Sequence, residues 1–185
     1  AANVRISTDG GETWHEHNTN FTIDGAFSMA FHPYNKSVIL AGTYNGVSKS
    51  EDAGETWMRW DNGMPPELWV FSVVFNPADP DIIYAAAKNG QNKGGGRPEF
   101  RGAVLKSVDG GRNWSLIMNG LEQSQEYYQL VMYPYNYDIL FVSAGNGIHM
   151  TRDGGENWEP INDGLERARS GIVNNVANNL VLDAN

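Results

Sequence analysis

The sequence predicts an all-β fold built from repeated four-stranded antiparallel units, and three observations lead to this prediction. One octapeptide pattern occurs four times within the 185 residues. Short apolar segments, separated by turn signals, recur around each copy of the pattern. No segment has the spacing of apolar residues that is typical of an amphipathic helix.

The octapeptide pattern reads Ser/Thr-x-Asp-x-Gly-x-Thr/Asn-Trp. Its aspartates lie 43, 57 and 44 residues apart, and a period of this size is typical of one four-stranded propeller blade. An insertion of roughly 13 residues at 91–103 accounts for the longer interval. We therefore predict a β-propeller with about four blades in this chain. The aspartate and tryptophan of the four copies are Asp9 and Trp14, Asp52 and Trp57, Asp109 and Trp114, and Asp153 and Trp158.

Each predicted whole blade has the same order of elements. An apolar first strand leads through a turn that contains proline into a second strand, and an Asn-Gly dipeptide follows. Asn-Gly predicts a type I′ hairpin turn, which needs positive φ at both central residues. A third strand enters the octapeptide, and a fourth begins at its tryptophan. The predicted first strands are 27–31, 71–75 and 130–133, the second strands are 38–41, 82–86 and 139–143, and the dipeptides are Asn45-Gly46, Asn89-Gly90 and Asn146-Gly147.

These elements divide the chain into three whole blades and two half blades. The first half blade supplies a third and a fourth strand, and the last supplies a first and a second strand. The two ends would then complete one mixed blade and close a ring of four. A segment of a six- to eight-bladed propeller, or half of a ring completed by self-association, fits the sequence as well. The predicted units are 1–20, 26–61, 69–118, 128–162 and 171–185.

Each residue type of the octapeptide suits a tight turn. The aspartate is expected to accept hydrogen bonds from backbone N–H groups two residues further on, and the Ser/Thr hydroxyl to hold the other side of the turn. The glycine takes a conformation that side chains resist, and the tryptophan covers neighbouring strands. We therefore predict a structural role for Asp9, Asp52, Asp109 and Asp153.

The four octapeptides resemble the Asp-box, or BNR, repeats of sialidases, xyloglucan-cleaving glycosidases, sortilin-type receptors and photosystem assembly factors. The resemblance covers most of the chain. It implies that the boxes lie on the turn between the third and fourth strands, opposite the usual binding face. One scaffold of this kind hosts many activities, so the resemblance alone does not decide the function.

The turns between second and third strands, the insertion and the links between blades are expected to share the other face, where binding residues are common. Aromatic rings there can stack on sugar faces, while polar groups pair with hydroxyls. The alternative is that Trp69, Tyr127 and Tyr128 only cap the ends of the core. The predicted ligand-binding residues are Trp69, Tyr44, Phe100, Arg97, Arg101, Tyr127 and Tyr128.

Catalysis is not favoured by the sequence. Glycoside hydrolysis normally requires a pair of carboxyl groups, one on each side of the scissile bond. Glu67 and Glu99 are the candidates for such a pair. The Arg-Ile-Pro signature of sialidases does not occur. The positions after the second strands, where the xyloglucan-cleaving family places an aspartate, hold no carboxylate. We therefore assign no catalytic residue.

Composition narrows the remaining function classes. The net charge of −9 argues against nonspecific binding to nucleic acid, and no apolar run is long enough for insertion into a membrane. Cysteine does not occur, which excludes disulfides and thiolate metal sites. No motif indicates a cofactor or a metal site.

The first hypothesis is therefore a noncatalytic propeller segment, extracellular, periplasmic or on the cell surface, whose loop face binds a glycan or a protein. One alternative is a part of a polysaccharide-degrading glycoside hydrolase of the xyloglucan-cleaving kind. A second alternative is an assembly factor that docks on a membrane complex.

Overall fold

A computed structural model describes residues 4–7, 9–17, 25–90 and 100–164 of the chain. The predicted half blade at 171–185 lies outside these residues, as do Arg97 and Glu99 and most of the insertion at 91–103.

The described residues form fourteen strands and no helix, which confirms the all-β prediction. They form three four-stranded antiparallel sheets, each with its strands in chain order, and one antiparallel pair, β1 with β2. The strands are β1 Val4–Ile6, β2 His15–His17, β3 Ala26–Phe31, β4 Ile39–Thr43, β5 Gly46–Ser50, β6 Met58–Arg59, β7 Leu68–Phe75, β8 Ile83–Asn89, β9 Gly102–Ser107, β10 Ser115–Leu116, β11 Tyr127–Met132, β12 Leu140–Ala144, β13 Gly147–Thr151 and β14 Glu159–Pro160.

The three sheets stack as propeller blades, and the hydrophobic core lies between them. Leu40 and Val47 of the first sheet pack with Val70 and Leu105 of the second in one buried cluster. A second cluster joins the second sheet to the third. Because both faces of a middle strand are covered, all five residues of β4 are buried, including the polar Thr43. The two-residue fourth strands are exposed and form the outer edge.

The first strand of each blade contains a β-bulge. The pairing register shifts between Ala26 and Ser28 in β3 and between Val70 and Ser72 in β7. In β11 it shifts between Tyr127 and Leu130. A bulge bends its strand and redirects the side chain beside it. The redirected residues in these strands are aromatic, as described below.

The Asp-box turn forms a closed set of hydrogen bonds. The Ser107 hydroxyl donates to Asp109 Oδ1 at 2.8 Å and accepts from the Gly111 N–H at 2.9 Å. Asp109 Oδ1 accepts from the Asn113 N–H at 2.9 Å, and Oδ2 accepts from Asn113 Nδ2 at 2.6 Å. The expected reach of two residues was wrong, because the aspartate bonds four residues ahead. The same bonds occur around Asp9, Asp52 and Asp153.

The Asn-Gly prediction is corrected in part. Thr43 pairs with Gly46, so the two-residue loop is Tyr44-Asn45 and only Gly46 has positive φ. The Thr43 hydroxyl supports this turn by accepting from the Asn45 N–H at 3.1 Å. A type I′ turn at Asn45-Gly46 is therefore wrong, and Asn146-Gly147 has the same pattern. Asn89-Gly90 forms no two-residue turn, since β8 ends at Asn89 and its antiparallel partner β9 begins only at Gly102.

The boxes around Asp109 and Asp153 are also bound by the blade that precedes them. Trp114 Nε1 donates to the Trp60 carbonyl at 2.9 Å across the first junction. Trp158 makes the equivalent bond to Ile117 at 3.0 Å across the second. At the far end of the same turns, Lys106 donates to the Gly154 carbonyl at 2.9 Å, and Lys49 donates to that of Gly110 at 3.4 Å. The box thus stabilises both its own turn and the contact between blades.

These bonds predict a loss of stability in acid. The Thr56 hydroxyl and N–H lower the pKa of Asp52 to about 2, and bonds from Thr151 and Asn157 lower that of Asp153 to about 2. A depressed folded-state pKa contributes stability that is present above the unfolded pKa, near 4, and lost as pH falls toward 2. The free energy of unfolding, measured with urea, should therefore decrease steadily from about pH 4 to about pH 2.

The variant Asp153→Asn should remove part of that decline, because its box no longer titrates. Asp163→Asn is the control, since Asp163 is exposed and lies outside every box. If the free energy of unfolding changed equally with pH in both variants and in the unchanged chain, the box aspartates would not be the cause of the acid-induced loss of stability.

Candidate functional site

Five aromatic side chains form a continuous surface where the first strands of neighbouring blades meet. Phe27 lies 4.4 Å from Phe71 between ring centroids, and Phe71 lies 5.7 Å from Tyr128. Tyr44 lies 4.4 Å from Phe27 and 4.9 Å from Trp69. We call these five residues the aromatic wall. Phe27, Phe71 and Tyr128 occupy equivalent bulge positions, so the repeat itself sets their spacing.

The aromatic wall borders a pocket of about 570 Å³. Polar groups alternate with the rings in its lining, because each bulge aromatic is followed by Ser28, Ser72 or Gln129. The Ser72 hydroxyl accepts from the Leu130 N–H of the next blade at 3.1 Å. The Ser28 hydroxyl is buried and has no hydrogen-bond partner within the described part of the chain. A ligand in this pocket meets both apolar faces and hydrogen-bonding groups.

A cluster of charges lies at one end of the pocket. Glu126 accepts from Arg101 at 2.8 Å and from the Tyr128 hydroxyl at 2.5 Å. The ammonium of Lys88 lies 3.7 Å from Glu126 and 5.3 Å from the centroid of the Trp69 ring. Two cations thus surround one carboxylate, and the cluster carries one net positive charge.

The pKa values of this cluster follow from its contacts. Burial raises the pKa of Glu126, but the hydrogen bond from Tyr128 and the charges of Lys88 and Arg101 outweigh it, so the pKa is lowered. Burial and the neighbouring carboxylate raise the pKa of the Tyr128 hydroxyl. Glu126 is therefore ionised at neutral pH and Tyr128 is neutral. A carboxylate stabilised in its charged form is suited to accepting hydrogen bonds and poorly suited to donating a proton.

Backbone bonds fix the loops that carry these groups. The Arg101 N–H donates to the Gln123 carbonyl at 2.8 Å, and the Gly90 N–H donates to the Glu67 carbonyl at 2.9 Å. A Cβ atom at Gly90 would overlap the Trp69 indole. Glycine is therefore required at this position for Trp69 to lie against the strand end.

The structure places the predicted binding residues in different surroundings. Tyr128 lines the pocket. Tyr44 and Trp69 contact each other in the aromatic wall, and Arg101 bonds to Glu126. Phe100 packs against the core. Tyr127 is fully buried, and its hydroxyl donates to the Glu122 carbonyl at 2.8 Å. It belongs to the core and not to the ligand-facing set, which corrects that prediction.

The two predicted carboxylates do not form a described pair. Glu67 is exposed on the link before β7, with φ of 59°, and Glu99 lies outside the described residues, as does Arg97. The searched part of the chain contains no group of three histidine, aspartate or glutamate side chains that could hold a metal ion. The described residues also contain no helix of the length and apolar character needed to cross a membrane.

Sequence reasoning missed Phe27, Phe71 and Lys88. The available signal was the recurrence of an aromatic residue followed by a polar one at the same blade position: Phe27-Ser28, Phe71-Ser72 and Tyr128-Gln129. A regular strand would direct these aromatics by simple alternation, and only the bulges turn them toward the pocket.

Comparisons with known proteins agree with this architecture. A family model described as Sortilin-Vps10 (Sortilin, neurotensin receptor 3) matches residues 2–101. The VPS10 domain-containing receptor SorCS1 of Homo sapiens is 28% identical over 88 residues, which are 47% of this chain and 7% of the receptor. The chain therefore spans a small part of that relative.

Two solved structures are similar in fold. An ancestral GH74 enzyme aligns with a TM-score of 0.72 and 24% identity, over 86% of this chain and 21% of that chain. YCF48 bound to D1 peptide aligns with a TM-score of 0.53 and 19% identity, over 72% of this chain and 38% of that chain. Identities this low show the fold alone.

Proposed function

Because the chain belongs to the Sortilin-Vps10 family, we propose that it is a noncatalytic propeller segment that binds a segment of a partner protein on the aromatic wall. The observation that carries this proposal is the pocket of about 570 Å³ between the bulged first strands. Its rings can bury apolar side chains, and its hydroxyl, amide and ammonium groups can pair with a peptide backbone.

The charge cluster supports a binding role over hydrolysis. A general acid needs a raised pKa, whereas the pKa of Glu126 is lowered by its partners. Its carboxylate instead orients Arg101 and Tyr128, which leaves these groups in fixed positions beside the pocket. Preorganised polar groups reduce the entropy lost when a ligand binds.

The location we propose is extracellular or lumenal. Membership of the Sortilin-Vps10 family and similarity to a receptor support it. The solved YCF48 structure contains a bound peptide, which supports a protein partner for this related fold.

A glycan is the second candidate ligand. The aromatic wall favours it, because ring faces stack on sugars while nearby hydroxyls replace water. If the ligand is a glycan, the segment supplies sugar-binding subsites. The alternative of a glycoside hydrolase differs in that the bound glycan is also cleaved.

The test is a parallel screen of peptide and glycan arrays with the same purified chain, followed by titration of the best ligand. Tyr128→Ala should weaken binding about tenfold or more, as expected for an aromatic at the centre of an interface. Tyr135→Ala is the matched control, because Tyr135 is 72% exposed on the turn between β11 and β12, at the opposite face.

Three results would count against the proposal. Equal affinities of the two variants would place the ligand elsewhere. Cleavage of a polysaccharide by the chain, abolished by Glu67→Gln, would establish a hydrolase instead. Unfolding of Tyr128→Ala to the same extent as a core variant would show that this ring serves the fold.

A further inference from the structure

A second pocket lies at the outer edge of the junction between the first and second four-stranded sheets. The chain leaving β6 passes the Asp-box turn of the next blade there, and a space of about 300 Å³ remains. We call it the junction pocket. It is separate from the aromatic wall, which lies on the first strands of the blades. Its lining residues are Arg59, Trp60, Asp61, Asn62 and Arg112.

The junction pocket contains one cation without a carboxylate partner. Arg59 is paired with Asp61 at 2.5 Å. Lys49, whose ammonium lies 3.8 Å from the centroid of the Trp60 ring, is paired with Glu51 at 3.2 Å. Arg112 forms no ion pair with any described residue, and its guanidinium lies 5.8 Å from the centroid of the Trp60 ring. The pocket therefore keeps one uncompensated positive charge above an aromatic surface.

Comparison of the repeats shows that the fold does not require the residue types found at Arg59, Trp60 and Arg112. At the equivalent junction between the second and third blades, Leu116 replaces Arg59 and Ile117 replaces Trp60. Both junctions form the same hydrogen bond from the following box tryptophan to the backbone at this position. The position of Arg112 holds glutamate in the other three boxes: Glu12, Glu55 and Glu156.

We infer that the junction pocket binds an oxyanion group, a sulfate, phosphate or carboxylate, with Arg112 as its principal partner. A guanidinium pairs with two oxygens of such a group at once. Trp60 provides a rigid surface that holds the Arg112 side chain at the pocket, and its backbone carbonyl is fixed by Trp114. Arg59, which is paired with Asp61, supplies a second guanidinium to the pocket lining. This inference does not depend on the ligand of the aromatic wall.

The experiment is an NMR titration of the full chain with inorganic sulfate at constant ionic strength, following the Trp60 indole N–H. Saturable shifts are expected at Trp60. Arg112→Glu should lower the affinity about tenfold or more, the worth of a charged hydrogen bond. Because three boxes already contain this glutamate, the variant should fold normally. Trp60→Ile, which copies Ile117, should also weaken binding. Because this variant lacks the indole reporter, its titration is followed on the backbone N–H of Arg112, which lines the same pocket.

The control is Arg152→Glu, the same charge change at an exposed position of the fourth box. Its affinity for sulfate should stay unchanged. Equal weakening by both substitutions would overturn the inference, because it would indicate a general effect of net charge. Failure of the unchanged chain to show saturable shifts with sulfate, phosphate or acetate would overturn it as well. Binding of sulfate and phosphate without acetate would identify a tetrahedral group as the ligand.

Discussion

Replacing Trp114 by alanine should lower the free energy of unfolding by about 3 to 5 kcal/mol, as is typical for the loss of a buried tryptophan. Trp114 is 3% exposed and belongs to the cluster between the first two blades. Its indole N–H also donates to the Trp60 carbonyl, which would lose that partner in the interior. Both losses fall on the same blade junction. Urea unfolding of the variant measures their sum.

Trp14→Ala is the matched control. Trp14 occupies the same position of its own box, but it is 60% exposed and its indole N–H donates to the Gly11 carbonyl within that box. Its removal should change stability by less than about 1 kcal/mol, since little apolar surface returns to water. If both substitutions were equally costly, the box tryptophan would act mainly within its own turn.

Gly120→Ala should also unfold the junction between the second and third blades. Gly120 has φ of 85°, a conformation that costs an L-residue about 1 to 2 kcal/mol. A Cβ atom there would overlap the carbonyl oxygen of Trp158, so the two backbones must separate. Overpacking of this kind costs about 1 to 3 kcal/mol more. The expected loss of stability, measured by urea unfolding, is about 2 to 5 kcal/mol.

Gly164→Ala separates these two causes. Gly164 has nearly the same φ, 83°, and no described atom lies within 4 Å of the added Cβ. This variant should show only the cost of the backbone conformation. A similar loss for both variants would mean that the close approach of Gly120 to Trp158 contributes nothing.

The fold was predictable because it rests on short, regular signals. Spacing of the octapeptides fixed the blade period, and alternation of strands and turns fixed their order. The predicted first strands at 71–75 and 130–133 begin three residues earlier in the structure, at Leu68 and Tyr127. The additional residues precede the bulge in β7 and contain it in β11, and no simple alternation reveals a bulge.

The candidate site was predictable only in part, for the same reason. Tyr44, Trp69 and Tyr128 were predicted as binding residues because turns and links between blades were expected to carry them, and all three belong to the aromatic wall. Phe27 and Phe71 were not found, because they belong to segments that look like ordinary core strands. Tyr127 and Tyr128 are adjacent in sequence, and only the register of β11 decides which ring is buried.

The hydrogen bonds that join neighbouring blades near the Asp-box turns are donated by different side chains in the preceding blade and in the following one. Lys49 and Lys106 donate to the box of the following blade, whereas Trp114 and Trp158 donate to the preceding blade. At the lysine position the third blade has Met150, which cannot donate in this way. The blades are thus not interchangeable modules. If the blades were reordered so that the third blade preceded another, the Asp-box turn of the following blade would lose its hydrogen bond from a lysine. The side chains at this position therefore specify the order of the blades.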